Sequence, residues 1–157
     1  MLLVKTYIER SAIHGMGLFS GEFISEGTVV WKLMPGLDLI VPESSLGQLP
    51  LVVRDYVDRY GYLNEASKGY VLCGDDARFF NHSDFPNTVS LNHEMSVAVR
   101  DIEKGEELTC NYYEFDRTAA NHFSREQAVE LRNGSCKQVA VPSAILGDTN
   151  PEDRRAG

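Results

Sequence analysis

Cysteine is scarce in this chain and poorly placed for metal. Cys73, Cys110 and Cys136 lie far apart with no C-x-x-C pair. His14, His82, His93 and His122 do not make up the ligand deficit of a structural zinc site. No metal is expected, and free thiols point to a reducing, cytoplasmic setting. Positive charge is also short: 15 Lys and Arg stand against 23 Asp and Glu, a net charge of −8. A nucleic-acid binder would normally carry a basic face, so that class is set aside. The acidity fits either the steering of a basic partner or plain solubility. No apolar run approaches the length of a membrane span. Met1 to Lys5 is too short an apolar start for a signal peptide, and no internal repeat or low-complexity segment is present.

What is present is a chain of 157 residues, 43% hydrophobic and 24% charged, the size and balance of one globular domain. Leu3 to Ile8 reads as a strand, with Val4, Thr6 and Ile8 alternating against Leu3, Lys5 and Tyr7. Gly15 and Gly17 then permit a tight loop whose backbone approaches something closely. A dinucleotide fingerprint would need glycine at position 20, where Ser20 stands. Thr28 to Leu33 is a β-branched run, ended by Pro35-Gly36, and Leu37 to Val41 is expected to return as its partner. Leu49, Val52, Val53, Tyr56, Val57 and Tyr60 fall on one helical stripe, so residues 43–60 read as a helical insert.

Strand pattern resumes at Tyr70 to Cys73. Thr88 to Leu91 and Met95 to Val99 read as a hairpin across Asn92-His93-Glu94, and Glu107 to Cys110 as a short strand. Ser124 heads an expected helix to about Arg132, with Gln127 placed for a capping box and Gly134 beyond its end. Residues 143–157 read as a loose polar tail. Many short strands around one helical insert predict a mainly β fold.

The densest chemistry lies between Asp75 and Phe115. Asn81, His82 and Ser83 follow an aromatic pair, Phe79-Phe80, that belongs in a core. A polar triplet tied to a buried pair is either hydrogen-bonded scaffolding or a ligand-facing corner. Asp75 and Asp76 read as turn residues. Glu106 and Glu107 read as a solvated turn entering a strand.

Three blocks together resemble the SET-domain protein-lysine methyltransferases. They are Ser11 to Phe19 with Ile24-x-x-Gly27-x-x-Val30, then Arg78-Phe79-Phe80-Asn81-His82-Ser83 with Pro86-Asn87, then Arg100-Asp101-Ile102-x-x-Gly105-Glu106-Glu107-Leu108-Thr109-x-x-Tyr112. The resemblance spans about residues 3–116 and implies a SET-type β-clip fold: several short sheets, the helical insert, and a pseudoknot after the second block. A SET domain would then occupy 1–116, with residues 117–142 a C-terminal helical segment closing the site and no flanking targeting domain. It implies S-adenosylmethionine as methyl donor, leaving S-adenosylhomocysteine, with no metal. By position, His14, Gly15 and Met16 would hold the donor through backbone groups, Asn81 and His82 would complete its pocket, and Tyr112 would be catalytic. Tyr113 and Phe115 would wall the lysine channel. The implied substrate is a lysine-bearing, basic protein or peptide, with no direct nucleic acid and no membrane.

Lysine has an ordinary pKa of about 10.4, so its amine must shed a proton before it can attack a methyl group. A desolvated channel ending beside a positive sulfonium favours the neutral amine. What remains is alignment, which a tyrosine hydroxyl can supply without competing as a nucleophile. The chain also departs from the family. Asp84 follows Ser83 where many members have cysteine, and only Cys136 lies beyond Tyr112. The channel wall would then come from Phe115, Phe123 and the Ser124 helix. A channel tyrosine expected near Leu33 is absent. Its absence keeps open a different class: a catalytically silent module that binds a lysine-bearing partner.

Overall fold

The computed structural model describes residues 1–65 and 67–119. The expected Ser124 helix, Phe123, Cys136 and the polar tail lie outside the described residues. Among the described residues, ten short strands form four small sheets, none wider than three strands.

The first strand pattern is divided between two sheets. Leu2 bridges Trp31 and the Leu3 N–H donates to Val30 O, whereas β1 (Thr6–Arg10) pairs antiparallel with β2 (Met16–Ser20). The alternation holds across the break: Val4, Thr6 and Ile8 are half-buried while Leu3, Lys5 and Tyr7 are exposed.

The next strand, β3 (Val29–Lys32), has no edge free for Leu37 to Val41. Leu2 and Leu3 take one side and β9 (Met95–Ala98) takes the other. The expected pairing is therefore replaced. The buried Asp38 carboxylate accepts the N–H groups of Met34 (2.8 Å) and Gly74 (3.0 Å), turning the chain away. It delivers β4 (Leu39–Pro42) opposite β6 (Gly69–Leu72), and β5 (Gly61–Asn64) flanks β6 on its other side.

The insert is a 3-10 turn over Glu43–Gln48 followed by α1 (Leu51–Tyr60). Its stripe is much less buried than the spacing predicts. Val57 is 2% exposed and packs with Leu63 and Tyr70, but Val52 is 75% exposed and Val53 and Tyr56 also face outward. Strands of four residues under a ten-residue helix offer too little surface to cover the whole stripe.

Asp75 caps the turn Asp76–Phe79, its Oδ1 accepting the Ala77 N–H at 3.0 Å. Then follow β7 (Asn81–His82) and β8 (Thr88–Leu91), which makes the expected hairpin with β9 through Asn92 and His93, both at positive φ. Finally β10 (Thr109–Cys110) runs parallel to β7. Just before it, Gly105 N–H donates to Ser20 O, Ser20 N–H to Glu106 O and Leu108 N–H to Leu18 O. Residues 105–110 are thus held between β2 and β7. Asn87 locks this crossing, with its Oδ1 accepting Thr109 N–H (2.8 Å) and its Nδ2 donating to Glu107 O (2.8 Å). The main core lies beneath, built on Leu18, Ile24, Val30, Phe80, Ile102 and Leu108.

Candidate active site

The three sequence blocks meet at one amide. Asn81 Nδ2 contacts His14 O (3.1 Å), Met16 O (3.3 Å) and Glu107 Oε1 (2.7 Å). Asn81 is buried, so these bonds are what make its burial tolerable. Glu107 also accepts from Ser11 Oγ at 2.9 Å, and Ser11 Oγ accepts the N–H groups of Ile13 (2.8 Å) and His14 (3.3 Å). Gly17 makes room for the carboxylate, because a Cβ there would overlap Glu107 Oε1.

Glu107 is therefore a half-buried part of the site, which corrects the reading of a solvated turn. Glu106 is engaged too, by Asn87 Nδ2 (3.3 Å) and by Arg100. The Arg100 guanidinium holds the Glu106 carboxyl below the usual range. Beside this cluster His14, Gly15 and Met16 are exposed, and Gly15 sits at φ +52 with open space where a Cβ would point. The result is an exposed loop whose backbone carbonyls, with a half-buried carboxylate, converge on Asn81.

Across the Phe80–His82 segment lies a cavity of about 100 Å3. Phe80 lines it while the Asn81 amide binds the His14–Met16 loop, so one short stretch of chain connects the two. Tyr112, Tyr62, Trp31, Phe115 and Cys110 complete most of its inner wall. Tyr112 opens a 3-10 turn, Tyr112–Glu114, capped by Asn111, whose Oδ1 accepts the Tyr113 N–H at 3.1 Å. Tyr112 is fixed at both ends: its N–H donates to His82 Nδ1 (3.2 Å) and its hydroxyl to Phe80 O (2.5 Å). Burial drives the pKa of this hydroxyl, and that of Tyr62, far above the ordinary phenol value. Both stay protonated. Burial likewise pushes the Cys73 thiol, on the same wall, up to about 12, so it is no nucleophile at neutral pH.

Tyr112, expected as the catalytic residue, and Phe115, expected in the channel wall, both line the cavity, with Phe115 packed edge-on against Tyr62 at 5.0 Å. Tyr113 does not line it. That ring is 43% exposed and lies against the outer side of His82, centroids 5.6 Å apart. His82 sits between the two tyrosines, with Nε2 3.4 Å from Asp84 Oδ1. Sequence reasoning missed Tyr62 and Trp31. Tyr62 supplies an aromatic hydroxyl to the cavity although the position near Leu33 has none. The available signal was Gly61 to Asn64, a short strand hidden by its junction with the helix. Among the described residues, no group of three or more His, Cys, Asp or Glu is placed to hold a metal ion.

The comparisons with known proteins agree on the fold. Residues 15–113 match the family model described as SET domain. A Plasmodium falciparum (isolate 3D7) protein with the provisional name histone-lysine N-methyltransferase 1 is 28% identical over 122 residues, which is 69% of this chain. The chain spans only 2% of that relative's length. A crystal structure of a P. falciparum protein provisionally named a histone methyltransferase aligns at 25% identity and TM-score 0.51, covering 71% of this chain and 95% of the other. The Neurospora SET-domain histone lysine methyltransferase DIM-5 aligns at 21% identity and TM-score 0.51, over 71% of this chain and 53% of the other. That last likeness speaks for the fold alone.

Proposed function

The chain belongs to the SET-domain family, and on that premise we propose that it transfers a methyl group from S-adenosylmethionine to the side-chain amine of a lysine in a protein. The observation that carries the reading is the placement of Tyr112. Its hydroxyl is held protonated at a cavity with an aromatic wall, across the Phe80–His82 segment from the cluster of His14, Gly15, Met16, Asn81 and Glu107.

This cluster suits the donor's charge. Gly15, with open space in place of a side chain, lets backbone groups approach a ligand closely. The Glu107 carboxylate supplies negative charge to a donor that carries a cationic sulfonium and an ammonium. When bound, S-adenosylmethionine supplies an electrophilic methyl group on sulfur. His14, Gly15 and Met16 hold it through backbone groups, and Asn81 fixes that loop to the third block. His82 acts by position, accepting the Tyr112 N–H and packing against the Tyr112 ring.

The cavity wall performs the rest. Trp31, Tyr62, Phe80 and Phe115 exclude water from a lysine stem and so favour the neutral amine. Tyr112, already donating to Phe80 O, presents an oxygen that accepts an amine N–H and leaves the nitrogen lone pair directed along the axis of attack. The attacking nitrogen takes the methyl group and the positive charge, leaving the donor sulfur as a neutral thioether, S-adenosylhomocysteine, and then loses a proton to solvent. Binding of the donor tests this cluster. Replacing Asn81 with alanine removes the amide that joins loop, second block and Glu107, and calorimetric affinity for S-adenosylmethionine falls by about 1–3 kcal/mol. Unchanged affinity in a folded Asn81→Ala protein would remove Asn81 from the site.

A further inference from the structure

At its solvent end the cavity is lined by two arginines, Arg59 and Arg78, both exposed. Each guanidinium lies over an aromatic ring: Arg59 is 5.7 Å from the Tyr60 centroid and Arg78 is 5.4 Å from that of Phe79. The two rings meet edge-on at 6.3 Å, so the four side chains form one row, cation, ring, ring, cation. Among the described residues, neither arginine is in an ion pair. Asp116 also borders the cavity, but its carboxylate accepts the N–H groups of Leu63 (3.0 Å) and Thr118 (2.8 Å).

Stacking on a ring holds the guanidinium plane in one orientation while leaving its N–H fork open to a planar anion. Helix-end placement alone accounts for a basic residue at Arg59, in the last turn of α1. Arg78 likewise ends its short 3-10 turn, but end placement does not account for both guanidiniums lying over rings that touch each other. Asp58 and Asp76 sit near these arginines in sequence but do not line the cavity, whereas both guanidinium-bearing residues do.

We propose that Arg59 and Arg78 form an anion subsite that selects lysines flanked by an acidic side chain. This rests on the cavity being the lysine channel, and it reverses, for the positions beside the target, the expectation of a basic substrate. The shared chemistry is an anionic group within two residues of the lysine, either a carboxylate of Asp or Glu or a phosphoserine.

The test uses fluorescent lysine peptides carrying Glu, Gln, Lys or phosphoserine at each flanking position in turn. Binding is read by anisotropy with S-adenosylhomocysteine present, and methyl transfer is read in parallel. At one or more positions, peptides with Glu bind up to about fivefold more tightly than those with Gln for each arginine engaged, and those with Lys bind less tightly. A larger gain for phosphoserine than for Glu marks the phosphate as the better source, and the reverse marks the carboxylate. The double variant Arg59→Gln, Arg78→Gln levels the series, and Arg59→Glu, Arg78→Glu inverts it toward Lys. That gain excludes simple unfolding. Acidic preference in binding without any transfer would keep the subsite and remove the methyltransferase reading. Transfer with no dependence on the flanking charge, or no binding of any peptide, would overturn the subsite.

Discussion

Glu107 and Gly17 can be taken apart one at a time. A methyl group at position 17 displaces the Glu107 carboxylate, and with it the acceptor of both Asn81 and Ser11. Gly17→Ala alone is expected to weaken cofactor binding about tenfold, the worth of one lost charge-assisted hydrogen bond. In a Glu107→Ala background the same change has little left to displace, so the two effects are strongly non-additive. Additive losses in calorimetry would place Glu107 outside the cofactor site. His82 gives a second test at this scale. Burial lowers its pKa against the opposing pull of Asp84, so the folded state prefers neutral imidazole. The stability this carries is complete above the unfolded value of about 6.5 and is lost as pH falls through the lowered folded value. Protonation at Nδ1 would also turn a donor toward the Tyr112 N–H. Thermal midpoints measured between about pH 7 and pH 5 should fall less steeply in His82→Gln than in the wild type. Parallel slopes would clear His82 of this role.

Among the elements, α1 separates pattern from packing. Val57 and Val52 belong to the same stripe, yet one is buried against Leu63 and Tyr70 and the other faces outward. Val57→Ala should cost about 2 kcal/mol and Val52→Ala under about 0.5 kcal/mol by denaturant unfolding. Equal costs would mean that the helix seats differently. The same contrast explains what the sequence revealed. Alternation located the first strand, β-branched and apolar runs located several others, and the helical stripe located the insert. Pairing partners depend on which edges are already occupied, and the occupation of β3 by Leu2 and Leu3 leaves no local signal. Glu107 was misread for a similar reason. Its partners Ser11, Gly17 and Asn81 are remote in sequence, and a carboxylate in a turn reads as solvated until the fold brings them to it.

For the whole molecule, family resemblance and geometry carry different parts of the account. The three blocks identify the family and place Tyr112, Asn81 and the Gly15 loop. The hydrogen bonds show why those residues come together. The aromatic wall from Tyr62 and Trp31, and the two arginines at its opening, were legible only in three dimensions. The central claim is methyl transfer aligned by Tyr112, and Tyr112→Phe removes a single oxygen while keeping the ring contacts with His82 and Phe115. Transfer of labelled methyl from S-adenosylmethionine to lysine peptides is compared for wild type, Tyr112→Phe and Tyr113→Phe, with cofactor affinity measured alongside. The account predicts a loss of about a hundredfold or more in rate for Tyr112→Phe at unchanged cofactor affinity, and little change for Tyr113→Phe. Full activity in Tyr112→Phe, or a wild type that binds cofactor and peptide yet transfers nothing between about pH 7 and pH 10, across the titration of free lysine, would contradict it.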